Sequence, residues 1–228
     1  DEIVDGATRH NIKLIAVLDG SPEWARAGED AGNPLAPPVE SRAFGDWAAA
    51  FAERYGRWID HYQIWDEPNI EPLWGAGEID PGAYGHLLRD AAIRIRTTDP
   101  GAVILTAALA PNVEPGGANM SELVFLDSLY RVGADEWFDV VAGQSYDFGE
   151  PVDAPPALDR LNWRRLELLR DVMRAHGEKA GSVWAVSAGH TGMDPGSVVG
   201  LVEQSRRDWP WLGPALWAAW SPADKHGQ

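Results

Sequence analysis

Apolar positions along the chain follow two spacings in turn. Short runs with β-branched content occur at Lys13–Gly20, His61–Glu67, Val103–Ala110, Phe138–Tyr146, Val183–Ala188 and Pro214–Trp220. Each is bounded by Gly, Pro, Asp or Asn, and together they predict six strands. Between them the spacing becomes helical. Phe44, Trp47, Ala48, Phe51, Ala52 and Tyr55 share one helix face, as do Tyr84, Leu87, Leu88, Ala91 and Ile95. Asp80-Pro81 and Asp194-Pro195 each offer a capping carboxylate followed by proline at the first helical position, while Gly56, Gly133 and Gly177 suit helix ends. Further helices are predicted near Ser121–Val132, Pro156–His176 and Pro195–Arg207, and Asp1–Asn11 reads as the end of a helix leading into the first strand. Strict alternation of helix with buried-looking strands predicts an α/β fold built on a parallel sheet with right-handed crossovers. Both an open doubly wound sheet and a (β/α) barrel satisfy that pattern.

No interdomain linker and no internal repeat divides the sequence, so residues 1–228 are expected to form one domain. The run from Tyr62 to Asn69 places the acidic pair Asp66-Glu67 at the exit of an apolar strand. Strand alternation sets His61, Gln63 and Trp65 on one face and Tyr62, Ile64 and Asp66 on the other, and Pro68 is expected to stop the strand near Glu67. The exit of a barrel strand is where enzymes of that architecture keep their chemistry.

Composition narrows the function classes. Thirty-five acidic against 19 basic side chains give a formal charge of −16, which repels phosphate backbones and anionic lipid, so nucleic acid and membrane surfaces are not expected partners. No apolar run approaches the roughly 18 residues of a spanning helix, and Asp1-Glu2-Ile3-Val4-Asp5 lacks the basic and apolar regions of a signal peptide. Absence of cysteine removes thiol nucleophiles and cysteine-bound zinc, and leaves the compartment open. The six histidines are scattered without metal-ligand spacing, so neither a metal site nor a cofactor is predicted. Twelve tryptophans outnumber the five phenylalanines and five tyrosines. Their flat faces suit the C–H surfaces of a sugar as well as ordinary core packing.

The segment Trp65-Asp66-Glu67-Pro68-Asn69 resembles the strand-four W-N-E-P-N motif of clan A glycoside hydrolases, the (β/α)8 retaining glycosidases that include β-xylosidase and cellulase-like families. Leu14–Trp24 looks like that clan's strand three and its loop, Phe138–Tyr146 like strand six, and Leu216-Trp217 like strand eight. On this mapping the six strands are numbers three to eight, and the first two βα units of a barrel are not accounted for. The chain is therefore expected to be part of a longer protein, with the N-terminal part of that protein or an assembly partner completing the barrel. The resemblance implies O-glycosyl hydrolysis of β-linked oligo- or polysaccharides, with Glu67 as general acid/base. It implies saccharide contacts from Asp66, Asn69, Trp24, Tyr146 and Trp217, and an extracellular or cell-surface location.

A retaining glycosidase needs two carboxyl groups about 5 Å apart, one protonated and one ionised. By resemblance Glu67 is the first, and its pKa would have to be raised to hold a proton near neutrality. The clan's strand-seven pattern reads roughly W-x-T-E-x-G-W, whereas this chain has Trp184-Ala185-Val186-Ser187-Ala188-Gly189-His190, so Ser187 stands at the nucleophile position. Asp19, Glu114, Asp147 and Glu150 follow other strands and are the substitute carboxylates; a spacing of about 6.5–9.5 Å from Glu67 would suit inversion. The other reading is a catalytically inactive barrel that binds carbohydrate or serves as a structural or assembly subunit. Ala185–Gly189 is also a loose match to a G-x-S-x-G serine-hydrolase elbow, with His226 and Asp208 or Asp224 downstream.

Overall fold

A computed structural model describes residues 2–146, 150–178, 181–189 and 194–217. Six strands, β1 (Ile15–Leu18), β2 (His61–Ile64), β3 (Val103–Leu105), β4 (Val140–Tyr146), β5 (Ser182–Gly189) and β6 (Leu212–Trp217), pair in chain order and every pairing is parallel. Helices α1 (Glu2–Arg9), α2 (Ser41–Tyr55), α3 (Pro81–Thr98), α4 (Glu122–Arg131), α5 (Leu166–Ala175) and α6 (Pro195–Asp208) precede or connect them. A doubly wound sheet reverses its strand order partway, and this one never does. The sheet instead curls into a half-barrel with its helices outside, the architecture of one side of a TIM barrel.

Local chemistry explains the element boundaries. Asp80 Oδ1 accepts hydrogen bonds from the Gly82 and Ala83 amides at the start of α3, and Asp194 Oδ1 does the same for Gly196 and Ser197 at the start of α6. Each such cap contributes about 1 kcal/mol. Gly133 and Gly177 hold left-handed conformations after α4 and α5, with φ of 72° and 86°. Gly56 closes α2 in a right-handed conformation, φ −58°, so its role there is not conformational.

Two apolar clusters sandwich the sheet. The larger fills the space between sheet and helices, with Tyr62, Ile64, Ile104, Val141, Val183 and Ala185 from the strands. The smaller lies on the concave face, where Leu105, Ala108, Val140 and Ala142 pack with Ile15, Val103, Trp184 and Val186. Concave-face residues of the two outermost strands are open to solvent: Val17 on β1 is 48% exposed and Leu216 on β6 is 40% exposed.

One helix is shorter than its sequence pattern. The span Pro156–His176 was expected to be helical throughout, whereas α5 begins at Leu166 after a 3₁₀ turn at Trp163–Arg165. Two buried side chains hold the preceding segment in an irregular path. Asn162 Nδ2 donates to the carbonyls of Pro151 and Ala154, and the Arg165 guanidinium donates to those of Ala157, Leu158 and Arg160. Arg165 also pairs with the buried Glu122 of α4 and reaches the Asn112 carbonyl, 3.0 Å away, so it ties the loop after β3 to the loop after β4. Strand β6 starts two residues earlier than expected, and the expected strand positions 218–220 lie outside the described residues.

Candidate functional site

Strand β2 ends at Ile64, three residues before the expected stop near Glu67, because Trp65 adopts a left-handed backbone with φ 69°. That single residue breaks the alternation of faces. Trp65 was expected on the same face as Gln63, yet it is buried in the helix layer, edge-on to Phe44 and Trp74 at ring-centroid distances of 5.6 and 5.8 Å. Its indole N–H donates to the Leu73 carbonyl at 3.0 Å. Asp66 is turned the other way, onto the face of Gln63, whose amide donates to Asp66 Oδ1 at 3.0 Å. Glu67 is left-handed as well, φ 46°, and its amide donates to the Ala108 carbonyl at 3.1 Å. Side-chain-bearing residues in this region of backbone space cost about 1–3 kcal/mol each and concentrate at functional sites.

Asn69 makes that geometry affordable only in the sense that it holds the loop. It has no exposed surface, its Nδ2 donates to the carbonyls of Ala110 and Met120 at 2.8 and 2.9 Å, and its Oδ1 accepts from the Ala110 amide at 2.9 Å. The expected saccharide contact from Asn69 is therefore replaced by a structural one, since every polar atom of its amide is committed to backbone.

The carboxyl that the surroundings push up is Asp66, to about 6, through burial first and then the neighbouring charges of Glu67 and Asp19, with the Gln63 hydrogen bond acting against them. Burial also raises Asp19, just past the end of β1. Among the described residues, no cation is a cause of that shift. Of the other substitute carboxylates, Glu150 is ion-paired with Arg160 at 3.2 Å and Glu114 accepts from Asn119 Nδ2 at 3.0 Å. Asp147 lies outside the described residues, as does His190.

At the other end of the curve, β5 carries a bulge. Gly143 pairs with Ala185 and Gln144 with Ser187, so Val186 is the extra residue. Bulges re-aim side chains, and this one shifts the alternation by one. Val186 packs on the concave face and Ala188 on the helix side, while the Ser187 hydroxyl lies 2.5 Å from the Tyr146 hydroxyl at the end of β4. Two of the expected site residues, Tyr146 and Ser187, are thus in contact. Ser187 sits within a continuous strand rather than on a sharp strand-to-helix turn, which removes the serine-hydrolase elbow; Asp208 accepts from Gln204 at 2.8 Å, and Asp224 and His226 fall outside the described residues.

Trp24 is 82% exposed and lines an apolar cavity of about 310 Å³ together with Ser21, Pro22, Pro38, Phe44 and Trp47. Gly20, next in the chain to Asp19, also lines this cavity, and Phe44 is shared with the packing of Trp65, so the cavity lies on the Trp65 side of the β2 end and not on the face of Asp66. Trp217 stands apart from it, tilted against the buried Trp163 at 6.2 Å on the helix side of β6. Sequence reasoning did not single out Gln63 or Trp47. A buried glutamine on the concave side of an apolar strand was the available signal for the first; the second was assigned to a helix's core face and is 46% exposed.

The fold is similar to that of solved TIM-barrel glycoside hydrolases. A family 39 glycoside hydrolase from Bacteroides cellulosilyticus WH2 superposes with a TM-score of 0.67 and 16% identity, over 95% of this chain and 45% of that one. A monomeric β-xylosidase from Caulobacter crescentus CB15 gives 0.64 and 19%, over 95% and 47%. An endo-1,4-β-mannanase from Rhizomucor miehei gives 0.62 and 13%, over 94% and 65%. The chain spans about half the length of the first two. No protein-family model and no curated protein matches the sequence.

Proposed function

We propose that this chain is part of a glycoside hydrolase-like protein that acts on or binds β-linked saccharides, with Glu67 as the general acid/base. The observation that carries this reading is the acidic end of β2. A left-handed Trp65 turns Asp66 onto the concave face, Glu67 follows it, and among the described residues no cation is a cause of the Asp66 shift. Similarity of fold to β-xylosidase and β-mannanase structures supports the β-linked class. Residues 1–228 then form one incomplete barrel domain, strands β1 to β6 correspond to strands three to eight, and two further βα units bridge β6 to β1. The exposed concave-face residues Val17 and Leu216 support that closure. The N-terminal part of the same protein is the proposed source of those units, with an assembly partner as the other. Asp66 and Tyr146 are the proposed saccharide contacts of the cleft, Trp24 is the one at the neighbouring apolar cavity, and Trp217 supports the rim of the cleft through Trp163.

Hydrolysis is tested with aryl β-xylosides, β-glucosides and β-mannosides. Turnover that falls at least about 100-fold in Glu67→Gln supports the acid/base role. One observation favours a second reading: a serine hydrogen-bonded to a tyrosine stands where the resemblance places the nucleophile, and a hydroxyl cannot stabilise an oxocarbenium ion as a carboxylate does. Retained saccharide binding with no turnover of any of the three would identify a binding protein instead.

A further inference from the structure

Between β2 and β3 a side chain stands where a ladder bond belongs. The Val103 amide donates to the Asp60 carbonyl at 2.8 Å, and two-residue steps along the parallel pair carry that bond to the Ala107 amide and the Ile64 carbonyl. Those two groups meet the hydroxyl of Tyr84 instead. Reaching in from α3, it accepts from the Ala107 amide at 2.6 Å and donates to the Ile64 carbonyl at 2.9 Å. Register does not slip across the gap, because Gln63 pairs with Leu105 before it and Asp66 with Ala108 after it. The strands are wedged apart rather than offset. Ile64 is the last residue of β2, and the left-handed Trp65 is the next. On the other side the ladder is kept, since the Trp65 amide donates to the Leu18 carbonyl at 2.8 Å. Tyr84 has no exposed surface, and its ring is packed against Trp74 and Phe125 at 5.9 and 5.6 Å, which holds the hydroxyl in one place.

We propose that Tyr84 is a positioning residue that acts through Trp65: its hydroxyl replaces the Ile64–Ala107 ladder bond, releases the end of β2 from strand geometry, and so presents Asp66 and Glu67 at the strand exit. Ile64 and Ala107 are both fully buried, and buried backbone groups must find partners. Without the hydroxyl the two are left to each other, which closes the ladder and draws Trp65 back toward strand alternation. Only the effect of this wedge on turnover rests on the saccharide reading above.

The test follows indole N–H exchange by NMR on the 228-residue chain. Trp65 and Trp163 are both buried with the N–H bonded, to the Leu73 carbonyl at 3.0 Å and to Ser205 Oγ at 2.7 Å, so Trp163 reports general loosening. In Tyr84→Phe the Trp65 N–H is expected to exchange at least about tenfold faster, with Trp163 unchanged and the Ala107 amide still protected. Tyr130→Phe removes a buried hydroxyl that has no hydrogen-bond partner among the described residues, and is expected to change neither indole. Unaltered Trp65 exchange in Tyr84→Phe, or equal acceleration of both indoles, overturns the proposal. Should Tyr84→Phe not fold, the natural chain decides: a nuclear Overhauser contact between the Tyr84 hydroxyl proton and the Ala107 amide supports the wedge, and its absence overturns it. With aryl β-glycosides, kcat is expected to fall about tenfold or more in Tyr84→Phe with KM within about twofold, and to fall no further when the change is added to Glu67→Gln. An equal fall in the Glu67→Gln background overturns positioning of Glu67. A natural chain without any turnover overturns hydrolysis alone, and the exchange result then decides the role of Tyr84.

Discussion

The ends of β2 and β5 solve one geometric problem in different ways. Both must turn a polar side chain onto the concave face from a position that strict alternation would give to the helix layer. β2 does it with a left-handed tryptophan, and β5 does it with an extra residue at Val186. The results differ in charge and in support. The β2 end carries Asp66 and Glu67, near Asp19, and is held by the fully buried amide of Asn69. The β5 end carries two hydroxyls, Ser187 and Tyr146, that satisfy one another. A strained backbone is tolerated where neighbouring elements over-determine it, and Asn69 supplies that constraint at β2. A bulge inside a paired strand needs no comparable anchor, because the parallel ladder resumes on its far side.

The largest expected departure between the two ends is in stability. Asn69→Ala leaves the buried Ala110 amide without its partner and the Ala110 and Met120 carbonyls with Asn112 Nδ2 alone, and is expected to cost about 2 kcal/mol in denaturant unfolding. Ser187→Ala removes one half-buried hydroxyl contact and is expected to cost under about 1 kcal/mol. Equal losses in the two variants would show that β2 has no special anchor.

Asp66→Asn gives a smaller effect with a definite sign. The folded-state value of about 6 stands above the ordinary aspartate value of 3.8, so the folded chain keeps a proton that the unfolded chain releases. Stability associated with that proton is complete below 3.8 and is lost as pH rises through about 6. The asparagine variant is therefore expected to be about 1–2 kcal/mol more stable than the natural chain at pH 7.5, with the advantage vanishing near pH 4. An unchanged difference across that range would remove like-charge crowding from the account of β2. Smallest is Glu67→Gly, which relieves a left-handed glutamate and is expected to stabilise by about 1 kcal/mol while abolishing any glycosidase turnover. Destabilisation by the glycine would mean that the Glu67 side chain contributes more contact than strain.

The strands and helices were readable from the sequence wherever the signal was local. Apolar β-branched runs located all six strands, and the two Asp-Pro pairs located the starts of α3 and α6. The direction of each site residue was less readable. Alternation put Trp65 on the face of Gln63 and Asp66 on the opposite one, and the structure exchanges them, because a left-handed non-glycine residue leaves no periodic mark. The bulge at Val186 escaped for the same reason: an inserted residue is visible only against its paired strand. The irregular path before α5 depends on Arg165 finding carbonyls and Glu122 about 43 residues apart in sequence, which a local pattern does not contain. Asn69, which stood next to the acidic pair in sequence, belongs to the architecture for a similarly non-local reason.

The outer strands of the half-barrel bear on how this chain behaves at high concentration. Along β1 and β6 the sheet has no further partner among the described residues, and each strand shows solvent an apolar side chain, Val17 and Leu216. Unpaired strand edges template association, and the charge of −16 opposes it by mutual repulsion. Repulsion between exposed charges fades over a Debye length that shrinks from about 30 Å at 0.01 M salt to about 3 Å at 1 M. Raising ionic strength therefore favours edge-to-edge oligomers, and dilute buffer is the medium in which the 228-residue chain stays dispersed.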